Sequence, residues 1–240
     1  MKYPVLYFSF IIFISPSNLF AQASENNSVV AVSYNNRGMS KYQSGQYAEA
    51  IEYFNKAIDL APNLSKAYNN RALSEYQLGK FDDAMLDYNK SIILDSTDAY
   101  PYNNRGLLKI HMKDYESALE DITRSIQLNP RMSLAYNNRG LAEYHLKKFD
   151  LAEQDYNKSI ELDSNSEKVY NNLGLLKYEL GKYKEALVNF NKAIALNPAD
   201  IYAYTNRAAT EEKLGMTDEA NKDYDKVIEI NKSKNQQAKQ

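Results

Sequence analysis

Six asparagines recur at a fixed step along this 240-residue chain: Asn36, Asn70, Asn104, Asn138, Asn172 and Asn206, each 34 residues after the last. An amide side chain offers two N–H donors and an acceptor oxygen, so a regular row of amides can hold an extended peptide backbone whatever its sequence. The same amides can instead bond within the protein, and both readings follow from the residue type. Leu73, Leu107 and Leu141 each follow such an Asn by three residues, and Tyr76 and Tyr144 follow two of those leucines by three more. These side chains would supply apolar pockets beside the amides.

Catalytic chemistry finds little to work with. The chain has no Cys, which removes thiolate ligands, disulfides and a Cys nucleophile together. It has no Gly-rich phosphate loop and no paired carboxylates outside solvent-facing helix positions. His111 and His145 lie one period apart, and Glu179 follows at the same step. Neighbouring helix axes are about 8–10 Å apart, whereas zinc holds its ligands at about 2 Å. These three residues therefore read as solvated surface groups. No catalytic residue, metal site or cofactor is expected.

Net charge is −2, with acids and bases interspersed, so nothing favours a nucleic-acid partner. Residues 1–23 differ in character. Lys2 precedes the apolar run Val5 to Ile14, Ser15-Pro16-Ser17-Asn18 reads as a helix breaker, and Ala21-Gln22-Ala23 has the small-x-small form of a cleavage site. The run is shorter than the ~18–20 residues that span a bilayer, so it reads as a secretory signal cut after Ala23. An uncleaved N-terminal anchor is the alternative. The mature chain would begin at Ser24 with a charge of −3, Lys2 having left with the signal (28 basic against 31 acidic residues). With cleavage no membrane span remains. A bacterial source would place the protein in the periplasm or outside the cell.

Around the asparagines a whole unit repeats. Tyr34-Asn35-Asn36-Arg37-Gly38 returns from Tyr68, Tyr102, Tyr136, Tyr170 and Tyr204 with no insertion, which divides the chain into 31–64, 65–98, 99–132, 133–166, 167–200 and 201–234. A fixed period of this length marks stacked repeats. Residues 24–30 read as a flexible lead-in and 235–240 as a polar tail. Numbering each unit from 1 to 34, position 20 is always Ala and position 8 is always Gly or Ala, as close helix approach requires. In the first unit Tyr47, Ala50, Ile51, Phe54, Ala57 and Ile58 carry helical spacing. Position 15 is Gly in four units and Lys113 or Lys147 in the others, at a cost if the residue there is left-handed. Arg71, Arg105, Arg139 and Arg207 at position 7 accompany Asp87, Asp121, Asp155 and Asp223 at position 23, and the fifth unit loses both at once. That covariation inside one chain predicts a helix-to-helix ion pair inside each unit that keeps both residues, with the first unit, Arg37 with Tyr53, the exception.

The chain resembles the tetratricopeptide repeat (TPR) family: 34 residues, aromatic at 4, Gly/Ala at 8, Ala at 20, and Pro at 32 in three units. It departs from that pattern with Arg at position 7, Lys or Glu at 11, and Ile122 at 24. The resemblance implies an all-α superhelical solenoid of six helix-turn-helix units, whose first helices line a concave groove through positions 2, 5, 6, 9, 12 and 13. It implies a non-catalytic scaffold that binds a peptide or protein segment there. Envelope assembly or secretion follows from the signal, and the alternatives are a regulatory subunit of an envelope enzyme or a self-assembling structural protein. The family's clamp for a chaperone's C-terminal carboxylate uses Lys at 5 and Asn at 9, where this chain has Asn35 and Met39. Val227, Ile228 and Ile230 on the last helix suggest an apolar edge able to support a homo-oligomer.

Overall fold

The computed structural model describes residues 16–237, and all regular structure among them is helical. Twelve helices form six antiparallel hairpins, so the protein is all-α. The first helices are α1 (Pro16–Gln43), α3 (Ser65–Gln77), α5 (Ala99–His111), α7 (Ser133–His145), α9 (Glu167–Glu179) and α11 (Ile201–Lys213). The second are α2 (Tyr47–Leu60), α4 (Phe81–Leu94), α6 (Tyr115–Leu128), α8 (Phe149–Leu162), α10 (Tyr183–Leu196) and α12 (Thr217–Gln237). They fall into two compact units, α1–α4 and α5–α12. Within each unit a first helix packs on its own second helix, on the preceding second helix and on the preceding first helix.

Each hairpin closes the same way. The N–H of position 16 bonds the carbonyl of position 11, as Gln46 does to Lys41 at 2.9 Å and Lys148 to Glu143 at 2.9 Å. That bond requires a left-handed residue at position 15. Gly45, Gly79, Gly181 and Gly215 occupy it at φ of 70–75°, and Lys113 and Lys147 adopt φ of 64° and 59°. The two lysines thus take the strained conformation that their alignment with glycine predicts.

Helix approach is set by positions 8, 20 and 24. Ala50, Ala84, Ala118, Ala152 and Ala186 are wholly buried, as are Phe54, Ile122 and Phe190, while Tyr88 and Tyr156 are nearly so. A Cβ on Gly174 would lie 2.5 Å from Phe190 Cε1, so the aromatic at position 24 fills the space that the missing side chain at position 8 leaves. Position 27 adds a staple: Ser91, Ser125 and Ser159 donate to the carbonyls of Ser65, Ala99 and Ser133 at 3.0, 2.8 and 2.9 Å. Tyr68 and Tyr136 donate to the carbonyls of Pro62 and Pro130 in the preceding linker, at 3.2 and 3.3 Å.

Both ends differ from the sequence reading. α1 is one continuous helix of 28 residues, against 13 for the other first helices. Residues 16–18, read as part of a helix breaker, are helical. Residues 24–30, read as a flexible lead-in, continue that helix: they contain neither Gly nor Pro, so nothing stops propagation. At the other end α12 runs 21 residues against 14 for its counterparts, which draws Asn235 to Gln237 of the polar tail into helix. Ile230 is buried and leaves Ile228, half exposed, as the main apolar residue of the proposed edge. Residues 1–15, most of the signal reading, lie outside the described residues, as do 238–240. Among the described residues no helix is long and apolar enough to cross a membrane.

Candidate functional site

The asparagines form a chain of amide–amide bonds. In α1–α4, Asn70 Nδ2 donates to Asn35 Oδ1 at 2.9 Å, and Asn69 Nδ2 donates to Asn70 Oδ1 at 3.2 Å. In α5–α12, Asn138 donates to Asn103 at 3.0 Å, Asn172 to Asn137 at 2.9 Å and Asn206 to Asn171 at 2.9 Å. Asn103 and Asn137 donate in turn to Asn104 and Asn138, at 3.2 and 3.3 Å. Position 6 of one repeat is thus tied to position 5 of the repeat before. Burial explains the pattern: Asn103 is fully buried and Asn138 is 3% exposed, and a buried amide must find partners. Asn36, in the first repeat, is exposed. Asn70, Asn103, Asn137 and Asn138 each both donate and accept within the row, which leaves each one amide N–H and one oxygen lone pair for other partners.

An open groove of about 600 Å³ lies over the first helices of α5–α12. Leu107, Leu141, Asn138 and Asn172 line it, all four singled out from sequence, together with Asn137, Asn171, Leu134, Lys168, Ile201 and Tyr202. Leu134 and Tyr202 are 48% and 71% exposed and lie together at this groove. Leu73 is half-buried on α3. The structure does not bring the tyrosines of position 12 to this groove. Tyr76 packs on Phe81 and Tyr144 on Phe149, with ring centroids 5.7 and 6.0 Å apart, where each hairpin turns. Burial raises both phenol pKa values, as suits rings packed inside the fold. His145 stacks on Tyr115 at 4.7 Å with an 11° interplanar angle, and burial lowers its pKa.

Between the helices of the second, third, fourth and sixth hairpins stand the ion pairs that sequence covariation predicted. Arg71 forks onto Asp87 at 2.5 and 2.7 Å, and Arg139 onto Asp155 at 2.6 and 2.8 Å. Arg105–Asp121 and Arg207–Asp223 repeat the geometry at 2.8 and 2.5 Å, and at 2.6 Å twice. Arg71 and Arg207 reach further, to Asn55 and Asn191 of the preceding repeat, so one guanidinium pins three helices. Such planar, bidentate pairing fixes register more than it adds net stability. The pairing raises the pKa of Arg71, Arg139 and Arg207.

Sequence reasoning passed over position 11, although its signal is plain: Lys41, Glu75, Lys109, Glu143, Lys177, Glu211, in strict alternation. Lys109 bonds Asp121 at 2.8 Å. Lys177 bridges Glu153 and Glu185 at 2.6 and 2.9 Å.

Hairpins of 34 residues, small residues at each helix crossing and a first-helix groove together define a tandem-repeat helical-hairpin fold. Tetratricopeptide repeat family models match residues 31–64 and 65–98, 99–132, 131–199 and 189–220. The chain belongs to the tetratricopeptide repeat family. Among solved structures it is similar to PilF of Pseudomonas aeruginosa, 22% identical over 82% of this chain and 90% of that one, with a TM-score of 0.72. PilW, a type IV pilus biogenesis factor, is 18% identical over 81% of this chain and 90% of that one, with a TM-score of 0.73. YrrB, described as a TPR protein with an unusual peptide-binding site, is 22% identical over 74% and 91%, with a TM-score of 0.54. At these identities the likeness is one of fold. Among curated proteins no significant sequence match is found.

Proposed function

We propose that this protein is a non-catalytic scaffold that holds an extended segment of a partner protein in the groove over α5, α7, α9 and α11. The observation that carries the reading is the composition of that groove. Exposed Leu134 and Tyr202, with Leu107, Leu141 and Ile201, flank amides with bonding capacity left over. Apolar contacts would supply affinity, and amide contacts would hold the partner's backbone independently of its sequence. Within α5–α12, Asn104 and Asn206 would extend this surface, and in α1–α4 Asn36, Asn70 and Leu73 hold the equivalent repeat positions.

We further propose that the protein works outside the cytoplasm, in envelope assembly or secretion. The composition of residues 1–23 supports this. Likeness in fold to a type IV pilus biogenesis factor agrees with it. The test is capture of partners from an envelope extract by the chain beginning at Ser24, against a Leu134→Glu/Tyr202→Glu variant. Both changes fall on exposed side chains, so the melting point should hold within the error of measurement. Loss of a captured protein with the fold intact supports the groove. Equal capture by both forms places the binding surface elsewhere.

A further inference from the structure

The alternation at position 11 places two different groups in one environment. In the third repeat the Lys109 ammonium donates to Asp121 Oδ2 at 2.8 Å, beside the Arg105 fork. In the second, fourth and sixth repeats that position holds Glu75, Glu143 and Glu211, which are 7–8% exposed. Oε2 of each is buried without a hydrogen-bond partner. The arginine one turn back is no substitute. Arg71 lies 3.9 Å from Glu75 and Arg207 lies 3.8 Å from Glu211, beyond hydrogen-bond length, because each guanidinium is committed to its Asp. Three carboxyls are thus buried beside a second carboxylate, each with an idle oxygen.

We propose that Glu75, Glu143 and Glu211 are proton-binding sites that lock alternate repeats: protonated, each donates its O–H toward the Asp at position 23, as Lys109 does with its ammonium. Ionised, each repels that Asp and loosens the hairpin. The proton is held on the idle oxygen, and no other bond changes. The surroundings favour proton uptake. Around Glu75 stand Asp87 and Asp83 from α4, opposed by Arg71 and Lys80; α2 presents the neutral Asn55, already bound to Arg71. Around Glu143 stand Asp155, Arg139 and Lys148, while Lys177 of α9 is spent on Glu153 and Glu185. Around Glu211 stand Asp223, Arg207 and Glu219, with the neutral Asn191 from α10. The buried phenols of Tyr88 and Tyr156 also lie close to Glu75 and Glu143.

Burial, and then the facing Asp, push Glu75 up to about 7 and move Glu143 and Glu211 in the same direction. A folded-state pKa above the unfolded value means that the folded chain binds protons more tightly. The stabilisation is full below the unfolded value of 4.5 and is lost as pH rises through about 7. The lock is closed in mild acid and open in mild alkali.

The experiment compares urea unfolding of the wild-type chain with that of Glu75→Gln/Glu143→Gln/Glu211→Gln, from about pH 5.5 to about pH 8.5. Glutamine keeps the shape of the protonated acid and a permanent N–H donor. The wild-type folding constant should fall by up to about tenfold per pH unit for each site, below its folded pKa. The triple variant should lack that slope. Carbon NMR of the wild-type glutamate carboxyls provides the second reading and needs no variant: up to three should titrate well above the rest. Equal slopes in the two proteins overturn the proposal, and so does a wild type in which every Glu carboxyl titrates below about pH 5.5.

Discussion

Replacing Asp121 by Asn should damage the fold more than replacing its partner Arg105 by Leu, and making both changes together should cost less than the two separate costs added. Asp121 is nearly buried and receives two cations, Arg105 through its fork and Lys109 at 2.8 Å. Asp121→Asn strands both positive groups, which retain 19% and 18% side-chain exposure. Breaking a buried pair from one side costs about 3–5 kcal/mol, and that residual exposure puts this case near 3. Arg105→Leu leaves Asp121 with Lys109 still in place, so about 1–2 kcal/mol is expected. The double variant installs the combination that the fifth repeat already uses. There Leu173 is buried and packs in the core, and Asn189 bonds the Glu185 carbonyl at 2.9 Å. It should cost about 2 kcal/mol: no guanidinium is left stranded, but Lys109 still is, because the Glu185 that helps hold Lys177 in the fifth repeat is matched by Ser117 here. Stacked repeats need not unfold in one step. The assay therefore pairs urea unfolding with hydrogen exchange of the α5–α6 amides. A coupling energy of about 2 kcal/mol or more is expected from the cycle. Coupling near zero, or an arginine change costlier than the aspartate change, refutes this account of the pair.

Two further outcomes follow from backbone and packing geometry. Lys147→Gly should stabilise by about 0.5–1 kcal/mol in thermal melts, since φ is 59° there and four other repeats hold Gly at that turn. Gly106→Ala and Gly140→Ala should differ in sign. A Cβ at 106 would overlap Ile122 Cγ1 with the Ala118 carbonyl 3.3 Å away, and the branched Ile122 side chain is stiff, so about 1 kcal/mol is lost despite better helix propensity. At 140 the obstacles are the edge of the Tyr156 ring at 2.9 Å and the Ala152 carbonyl oxygen at 3.2 Å. The second repeat already pairs Ala72 with Tyr88 at the same positions, so this change should be neutral or stabilising by about 0.5 kcal/mol.

A single chain written six times lets the sequence act as its own alignment. That is why helix order, the left-handed turn residue, the small residues at each crossing and the Arg–Asp pairs were legible before any coordinates. Each depends on residues within one 34-residue unit, and repetition separates requirement from accident. The joint loss of Arg and Asp in the fifth repeat disclosed a contact 16 residues apart.

What only tertiary structure decided concerns how neighbouring units meet. Position 6 bonds position 5 of the preceding repeat, as Asn138 does to Asn103 across 35 residues, so the amide row faces its own fold as well as a groove. Tyr76 and Tyr144 looked available from their helical position but pack on the aromatic that opens the next helix. The helical state of residues 16–18 and 24–30 also depended on context, because a helix once nucleated propagates cooperatively into adjoining residues. The alternation of Lys and Glu at position 11 stood in the sequence throughout. Its meaning appeared only when burial left Glu75, Glu143 and Glu211 each facing an Asp, since a carboxyl's proton affinity is set by solvent exclusion and neighbouring charge. Neither can be read from residue type alone.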